Sequence, residues 1–235
     1  MKLGIVGTGA MGQVLLTCAK SDPDIGQIFM IEPTQKESWP DQKLDLLIDF
    51  SHPHAICGIY EYCRARGGNI PVVLATTGYN KEEEEIIHML QKICPVDRRA
   101  NFSQGIAAMN ELAELGAARL SGKADIRVVE AHHTKKADMP SGTAKSLCRH
   151  MGMSEEECST RVASLRMGNV CGQHTVYFAM EDEVIELRHT AYSKRIFALG
   201  ALEAGKNLQR RGLRVRGSVK STIFALTSER KYGKT

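Results

Sequence analysis

The stretch Gly7-Thr8-Gly9-Ala10-Met11-Gly12 constrains this chain more than any other. It follows a short apolar run, Leu3 to Val6, and opens a segment of helical character, Ala10 to Lys20. In a G-x-G-x-x-G turn between strand and helix, the first glycine permits the tight turn and the second lets a pyrophosphate approach the backbone. The third lets the helix pack close to the strand, and the helix N-terminus adds partial positive charge. Alone the pattern is weak. Here Glu32 ends the next apolar run, Ile28 to Ile31, 20 residues past Gly12, where a carboxylate can accept hydrogen bonds from adenosine ribose hydroxyls. Together they predict a dinucleotide-binding half. Glu32 slightly favours NADH, because a carboxylate repels a 2′-phosphate, while Lys36 leaves NADPH open.

Two more apolar runs follow, Leu44 to Ile48 ending at Asp49-Phe50-Ser51, and Pro71 to Ala75 ending at Thr76-Thr77-Gly78. Helix-like segments at His54 to Arg66 and Lys81 to Lys92 separate them. Continuous rather than alternating apolar strands predict a parallel sheet covered on both faces. The strand ends of such a sheet face its ligand. Asp49-Phe50-Ser51, Ala75-Thr76-Thr77 and Ala100-Asn101-Phe102-Ser103 are therefore candidates for the nicotinamide side, ordinary turn chemistry being the alternative.

The texture changes after Asn101. Ser103 caps a predicted helix to about Leu120. A strand from Asp125 to Ala131, a helix from Thr143 to Met151, and strands at Val162 to Leu165, Val176 to Met180 and Val184 to His189 follow, then a helix from Ile196 to Leu208. Short connections between the later strands predict a mixed or mostly antiparallel sheet. The fold class is thus α/β, a Rossmann-like parallel-sheet domain joined to an α+β domain with an open mixed sheet.

The segment between the halves carries the chemistry. Glu130 to Thr143 reads E-A-H-H-T-K-K-A-D-M-P-S-G-T. His132 and His133 beside Lys135-Lys136, at a strand end, favour proton transfer and anion binding over a purely structural role. A metal site is not expected, because adjacent strand residues face opposite ways and no third ligand stands at useful spacing. Pro140-Ser141-Gly142-Thr143 opens a helix whose free N–H groups and two hydroxyls suit a carboxylate, in addition to plain capping. Asp138 reads as orienting a lysine or the loop. The expected substrate is small and anionic.

A formal charge of +4 over 235 residues excludes a broad nucleic-acid or membrane footprint. The basic cluster Arg210, Arg211, Arg214, Arg216 and Lys220 reads as a solvated or subunit-facing surface. Seven scattered cysteines without a C-x-x-C pair point to reduced thiols and a cytoplasmic location.

The Glu130–Thr143 stretch resembles the signature of the dihydrodipicolinate reductases (4-hydroxy-tetrahydrodipicolinate reductases) of lysine and diaminopimelate biosynthesis. I-D-F-S, A-T-T-G, A-N-F-S-Q-G, V-C-G-Q-H-T-V-Y-F and H-T-A-Y-S-K-R-I-F-A-L-G-A occur in the family's order over nearly the whole chain. The resemblance implies a nucleotide domain of residues 1–102 and 195–235, a substrate and tetramerisation domain of 103–194, and a homotetramer. It implies His132 as general acid, Lys136 as second catalytic cation, and His133, Gly142 and Thr143 on the substrate carboxylates, with Ser141 in the same helix opening. The dinucleotide, NADH or NADPH, would contact Gly7, Thr8, Gly9, Ala10, Met11, Gly12, Glu32, Ala75, Thr76, Thr77, Arg99, Ala100, Asn101 and Phe102.

The chain departs from the family at three places. Ala10-Met11 stand where many relatives carry an arginine, Met139 replaces a small residue before Pro140, and the 144–166 connection is shorter. The implied reaction is reduction of a cyclic imine dicarboxylate. The rival readings are an amino-acid dehydrogenase of the diaminopimelate or aspartate type and a non-catalytic dinucleotide sensor.

Overall fold

Five strands form a wholly parallel sheet in a computed structural model that describes residues 1–215. They are β1 (Lys2–Val6), β2 (Gln27–Ile31), β3 (Leu46–Asp49), β4 (Val72–Leu74) and β5 (Val96–Arg98), in the order β2-β1-β3-β4-β5. Arg216, Lys220 and the rest of the segment assigned to 195–235 beyond residue 215 lie outside the described residues.

Both faces of the sheet are covered, which is why its strands read as unbroken apolar runs. On one face Leu3, Ile5, Leu46 and Ile48 pack with Leu15 of α1 (Ala10–Lys20) and Ala198, Ala201 and Leu202 of α7 (Arg195–Val215). On the other, Val6, Leu47 and Leu74 meet Ile56 and Ile59 of α2 (Ala55–Ala65) and Ile87 and Leu90 of α3 (Lys81–Ile93). Gly200 brings α7 against the backbone of Phe102; a Cβ there would stand 1.8 Å from the Phe102 carbonyl oxygen. The last long helix of the described chain thereby returns to the first sheet.

β5 was not visible in the apolar pattern. It is a three-residue edge strand, V-D-R, held by parallel pairing with β4 rather than by burial of its own side chains.

The second sheet has the order β7-β6-β8-β9, with β6 (Asp125–His132), β7 (Val162–Arg166), β8 (Gly172–Ala179) and β9 (Val184–Ala191). β7 runs parallel to β6, and the other pairs are antiparallel. One face is packed by α4 (Gln104–Arg119), α5 (Gly142–His150) and α6 (Glu155–Arg161), through Ile106, Met109, Leu147, Cys158, Val176 and Phe178. Gly116 of α4 admits the fully buried Phe178 ring, whose Cζ would stand 2.7 Å from a Cβ there. Burying such a ring contributes about 2–3 kcal/mol.

Two elements differ from expectation. α6 occupies part of the stretch read as connection, and its signal was present as a capping box. Glu157 N donates to Ser154 Oγ at 3.2 Å and Ser154 N to Glu157 Oε2 at 2.9 Å. β8 begins at Gly172 rather than Val176, because it is laddered on both sides, to β6 and β9.

The strand order makes a topological switch between β1 and β3, so the loops leaving their carboxyl ends splay apart and leave a crevice. α4 leaves directly from β5 and carries the chain to the second sheet. The two sheets therefore meet the crevice from opposite sides.

Candidate active site

The glycine loop divides its work as its spacing suggests. Gly7 has φ +104°, and a Cβ on it would stand 2.6 Å from the Phe50 carbonyl oxygen. A Cβ on Gly12 would stand 1.9 Å from the Gly7 carbonyl oxygen, so α1 can lie against the loop only with glycine there. Gly9 has nothing within 4 Å of its Cβ position. The one glycine that faces open space is the one a pyrophosphate would approach, and these residues fit a dinucleotide. At the end of β2, Glu32 accepts from the Thr8 hydroxyl at 2.8 Å and from Thr34 at 3.4 Å, and Ser38 ties its backbone.

From this loop a cleft of about 890 Å³ opens between the two sheets. Met11, Ala75, Thr77, Ala100, Asn101 and Phe102 line it from the nucleotide side. His132, His133, Lys136, Ser141, Gly142 and Thr143 line it from the other. Thr76 is buried behind the wall, where its hydroxyl accepts from Ser51 N at 3.1 Å. Arg99 makes a two-pronged pair with Asp97 at 2.7–2.8 Å, and its guanidinium lies 5.5 Å from the centre of the Phe102 ring. Gly7, Thr8, Gly9, Ala10, Gly12 and Glu32 lie outside this lining, at the loop just described. Of Asp49-Phe50-Ser51, Phe50 alone lines the cleft. Asp49 is buried, which raises its carboxyl even though hydrogen bonds from Ser51 and Thr76 act against the rise.

One hydrogen bond joins the walls: Asn101 Nδ2 donates to Thr143 Oγ1 at 3.0 Å. Asn101 Oδ1 meanwhile accepts from Ser103 N at 2.8 Å. Both ends of its amide are therefore committed.

On the substrate side β6 sets the geometry. Alternation along a strand puts Val128, Glu130 and His132 on one face, turned toward the helices, and His133 stands just past the strand end. Glu130 is completely buried and His132 nearly so. His132 Nδ1 lies 2.5 Å from Glu130 Oε2. That contact is ionic in range but off the line of an ideal hydrogen bond, and neither atom has another hydrogen-bond partner among the described residues. The other carboxylate oxygen, Oε1, accepts from Arg166 Nη2 at 3.0 Å and from Ser141 N at 3.3 Å. Burial alone would raise the Glu130 carboxyl. Contacts from His132, Ser164, Ser141 and Arg166 outweigh it and hold the group well below the usual carboxylate range.

Arg166 also donates to the carbonyls of Lys136 at 3.2 Å and Asp138 at 2.6 Å, which pins the cationic loop. Within that loop Lys136 Nζ pairs with Asp138 Oδ1 at 2.7 Å. Burial pushes the Asp138 carboxyl upward, but the Lys136 hydrogen bond and charge leave it lowered. Asp138 therefore holds the lysine. Met139 is 57% exposed and does not line the cleft, so it does not narrow the helix opening. Ser141 Oγ accepts from Ala144 N at 3.2 Å, capping α5, and meets His174 Nε2 at 3.2 Å. Burial pushes His174 down to about 4, and the charge of His132 adds to this, so it is neutral near pH 7.

The sequence argument that no third ligand stands near His132 does not hold in three dimensions. Cross-strand register sets His174 opposite Glu130, and Glu130, His132 and His174 bring one donor atom each within 4.8 Å of one another. The Arg166 guanidinium already on that carboxylate, and Lys136 nearby, oppose a divalent cation there by charge. The cluster is a group of close polar contacts whose carboxylate is already shared with Arg166.

Sequence reasoning missed Glu130, Arg166 and His174. Glu130 could have been found, since a carboxylate two residues before a strand histidine shares its face. Arg166 and His174 lie on other strands, and only the pairing of β6 with β7 and β8 brings them to the site.

Known proteins resemble the chain along its length. A family model described as dihydrodipicolinate reductase, N-terminus, matches residues 1–102, and one described as dihydrodipicolinate reductase, C-terminus, matches residues 105–219. A 4-hydroxy-tetrahydrodipicolinate reductase of Alkaliphilus metalliredigens is 35% identical over 223 residues, spanning 88% of this chain and 92% of that protein. One from an Exiguobacterium species is 37% identical over 228 residues, spanning 88% and 90%. The solved dipicolinate-bound dihydrodipicolinate reductase from Paenisporosarcina sp. TG-14 superposes with a TM-score of 0.69 at 20% identity, over 89% of this chain and 95% of that one. At that identity the likeness concerns the fold.

Proposed function

This chain belongs to the dihydrodipicolinate reductase family, and we propose that His132 and Lys136 carry the chemistry of its cleft. The protein is an NAD(P)H-dependent oxidoreductase of lysine and diaminopimelate biosynthesis, reducing the cyclic imine dicarboxylate dihydrodipicolinate (4-hydroxy-tetrahydrodipicolinate) to tetrahydrodipicolinate. The reduced dinucleotide, when bound, supplies the hydride.

The chain's own residues bind, orient and protonate. The Gly7–Gly12 loop would cradle the pyrophosphate and Glu32 would take the ribose, while Ala75, Thr77, Ala100, Asn101 and Phe102, which line the cleft, would form the nicotinamide side. Substrate carboxylates sit against His133, Ser141, Gly142 and Thr143, where free helix N–H groups and a positive dipole end favour negative charge. A ring that has gained a hydride carries electron density as an enamine-like anion and must take up one proton. His132 delivers it, and Lys136 stabilises the charge that builds up beforehand. The observation that carries this reading is one cleft lined at once by His132, Lys136, the α5 opening and Asn101-Phe102.

The same reading gives a nucleotide domain of 1–102 with the C-terminal segment from 195, and a substrate domain of 103–194. A homotetramer built on the second sheet is supported by Leu165 and Val184. They lie on the sheet face away from Val128 and Phe178, and are 49% and 54% exposed. A monomeric mass by sedimentation would remove it. Among the described residues no helix is long and apolar enough to cross a membrane. All seven cysteines are free, which suits a reducing, cytoplasmic setting.

The test is loss of reduced-nicotinamide absorbance with freshly generated substrate, for wild type, His132→Gln and Lys136→Ala, with NADH and NADPH in turn. Each variant should lose roughly 10²- to 10⁴-fold in turnover while still binding dinucleotide. Near-normal turnover in either variant would overturn that residue's role. Oxidation of an amino acid without reduction of the imine would point to an amino-acid dehydrogenase instead. Dinucleotide binding with neither activity would leave the sensor reading.

A further inference from the structure

Glu130 touches both the proton donor and the backbone of the carboxylate-binding helix opening. Its oxygens are divided between them: Oε2 stands at His132 Nδ1, 2.5 Å away, while Oε1 receives Ser141 N at 3.3 Å and Arg166 Nη2 at 3.0 Å. We propose that Glu130 is a positioning residue, and that Arg166 is its counterweight. In this arrangement the buried carboxylate holds the His132 imidazole with Nδ1 inward and Nε2 free to deliver the proton, and anchors the α5 opening against which the substrate carboxylates lie. The inference rests on the reading of His132 as the proton donor.

The geometry of this unit follows from strand register. Glu130 and His132 share a face of β6, Ser164 and Arg166 stand beside them on β7, and His174 stands opposite on β8. A carboxylate on the inward nitrogen of a histidine selects the tautomer and steadies the imidazolium, as in other acid–base pairs. A completely buried carboxylate persists as an anion only when partners surround it, and here His132, Ser164, Ser141 and Arg166 do so. Gly172 leaves the outward side of the ring clear, since a Cβ on it would stand 3.2 Å from His132 Nε2.

The other titratable or charged groups around His132 are known. They are His174 on β8 with His189 of β9 behind it, Cys171 before β8, and His133, Lys136 and Asp138 in the loop. Lys145 faces the cleft from α5. His174 is neutral near pH 7 and Lys136 is paired with Asp138, so Glu130 and Arg166 are the charges whose removal bears most directly on the imidazolium.

The experiment measures kcat against pH for wild type, Glu130→Gln and Arg166→Gln, with NADH affinity and inhibition by dipicolinate alongside. Removing the carboxylate destabilises the imidazolium. Glu130→Gln should therefore move the alkaline limb of kcat down by about one pH unit or more, cut turnover about 10²-fold, and weaken dipicolinate several-fold, with NADH affinity unchanged. Glu130→Asp should return part of the limb shift. Arg166→Gln leaves the carboxylate unopposed, so its limb should move the opposite way, to higher pH.

Shifts of opposite sign are not what a purely structural role produces. Limbs that stay in place, or move together, overturn the proposal. If Glu130→Gln does not fold, the direction of the Arg166→Gln limb decides alone. His132→Gln separates the two levels. A normal limb and turnover there sink the proton-donor reading, whereas a limb lost there but unmoved by both other variants sinks only the coupling.

Discussion

Asn101 at the carboxyl edge of the first sheet and Thr143 at the opening of α5 are joined side chain to side chain, at 3.0 Å, across 42 positions of sequence. That hydrogen bond ties the segment assigned to the nicotinamide to the helix opening assigned to the substrate carboxylates. Reaction between two bound rings depends on their mutual placement to within about an ångström. A double-mutant cycle on kcat/KM should therefore show coupling. Asn101→Ala and Thr143→Ala should each reduce it, and the double variant should lose about fivefold less than the product of the singles, which corresponds to roughly 1 kcal/mol. Strict additivity would mean that the bond does not align the halves.

The glycine loop separates folding from binding. Ala at Gly12 would clash with the Gly7 carbonyl oxygen at 1.9 Å, so Gly12→Ala should displace α1 and cost roughly 1–3 kcal/mol of stability. Gly9 has φ −72°, which alanine adopts freely, and open space around its Cβ position. Gly9→Ala should melt within a degree or two of wild type yet bind NADH at least about tenfold more weakly. Tight binding by Gly9→Ala would argue that the dinucleotide does not approach this turn.

Glu32 tests cofactor choice. A hydrogen bond to a charged group is worth about 1.5–3 kcal/mol, so Glu32→Ala should weaken NADH roughly 10- to 100-fold. NADPH should weaken less, because the repulsion of its 2′-phosphate is removed together with the ribose contact. Fluorescence titration with both dinucleotides reads the ratio. An unchanged ratio would move the choice of cofactor to another residue, with Lys36 the nearest cation in sequence.

His174 makes a prediction about acid stability. Its pKa falls from an ordinary 6.5 to about 4 on folding, chiefly by burial. Between those values the unfolded chain binds more protons than the folded one, so stability is undiminished above about pH 6.5 and declines as pH falls toward 4. The decline from this residue amounts to roughly 3 kcal/mol. Urea melts at several pH values should show a shallower loss over that window for His174→Gln than for wild type. Parallel curves would mean that the histidine charges in the folded state.

How legible the site was differs residue by residue. His132, Lys136 and the Ser141-Gly142-Thr143 opening could be singled out because they are neighbours in sequence. Their types, proton carriers and hydroxyls at a helix start, indicate chemistry without any fold. The first four strands of the first sheet were legible because each reads as an unbroken apolar run, as strands of a sheet covered on both faces do. β5 was not, since a three-residue edge strand carrying Asp97 and Arg98 owes its form to pairing with β4.

The sequence by itself determined the alternation of strands and helices, the glycine loop with its carboxylate, and the local cluster of cations and hydroxyls, all of which depend on periodicities of a few residues. Only the tertiary structure decided that Glu130 would be shared among His132, Ser141 and Arg166, that His174 would lie beside them, and that Asn101 would reach Thr143. The physical reason is register. Which residues stand abreast on β6, β7 and β8 is set by the packing of whole faces, so a one-residue slip would turn Glu130 and His132 to the opposite side of the sheet.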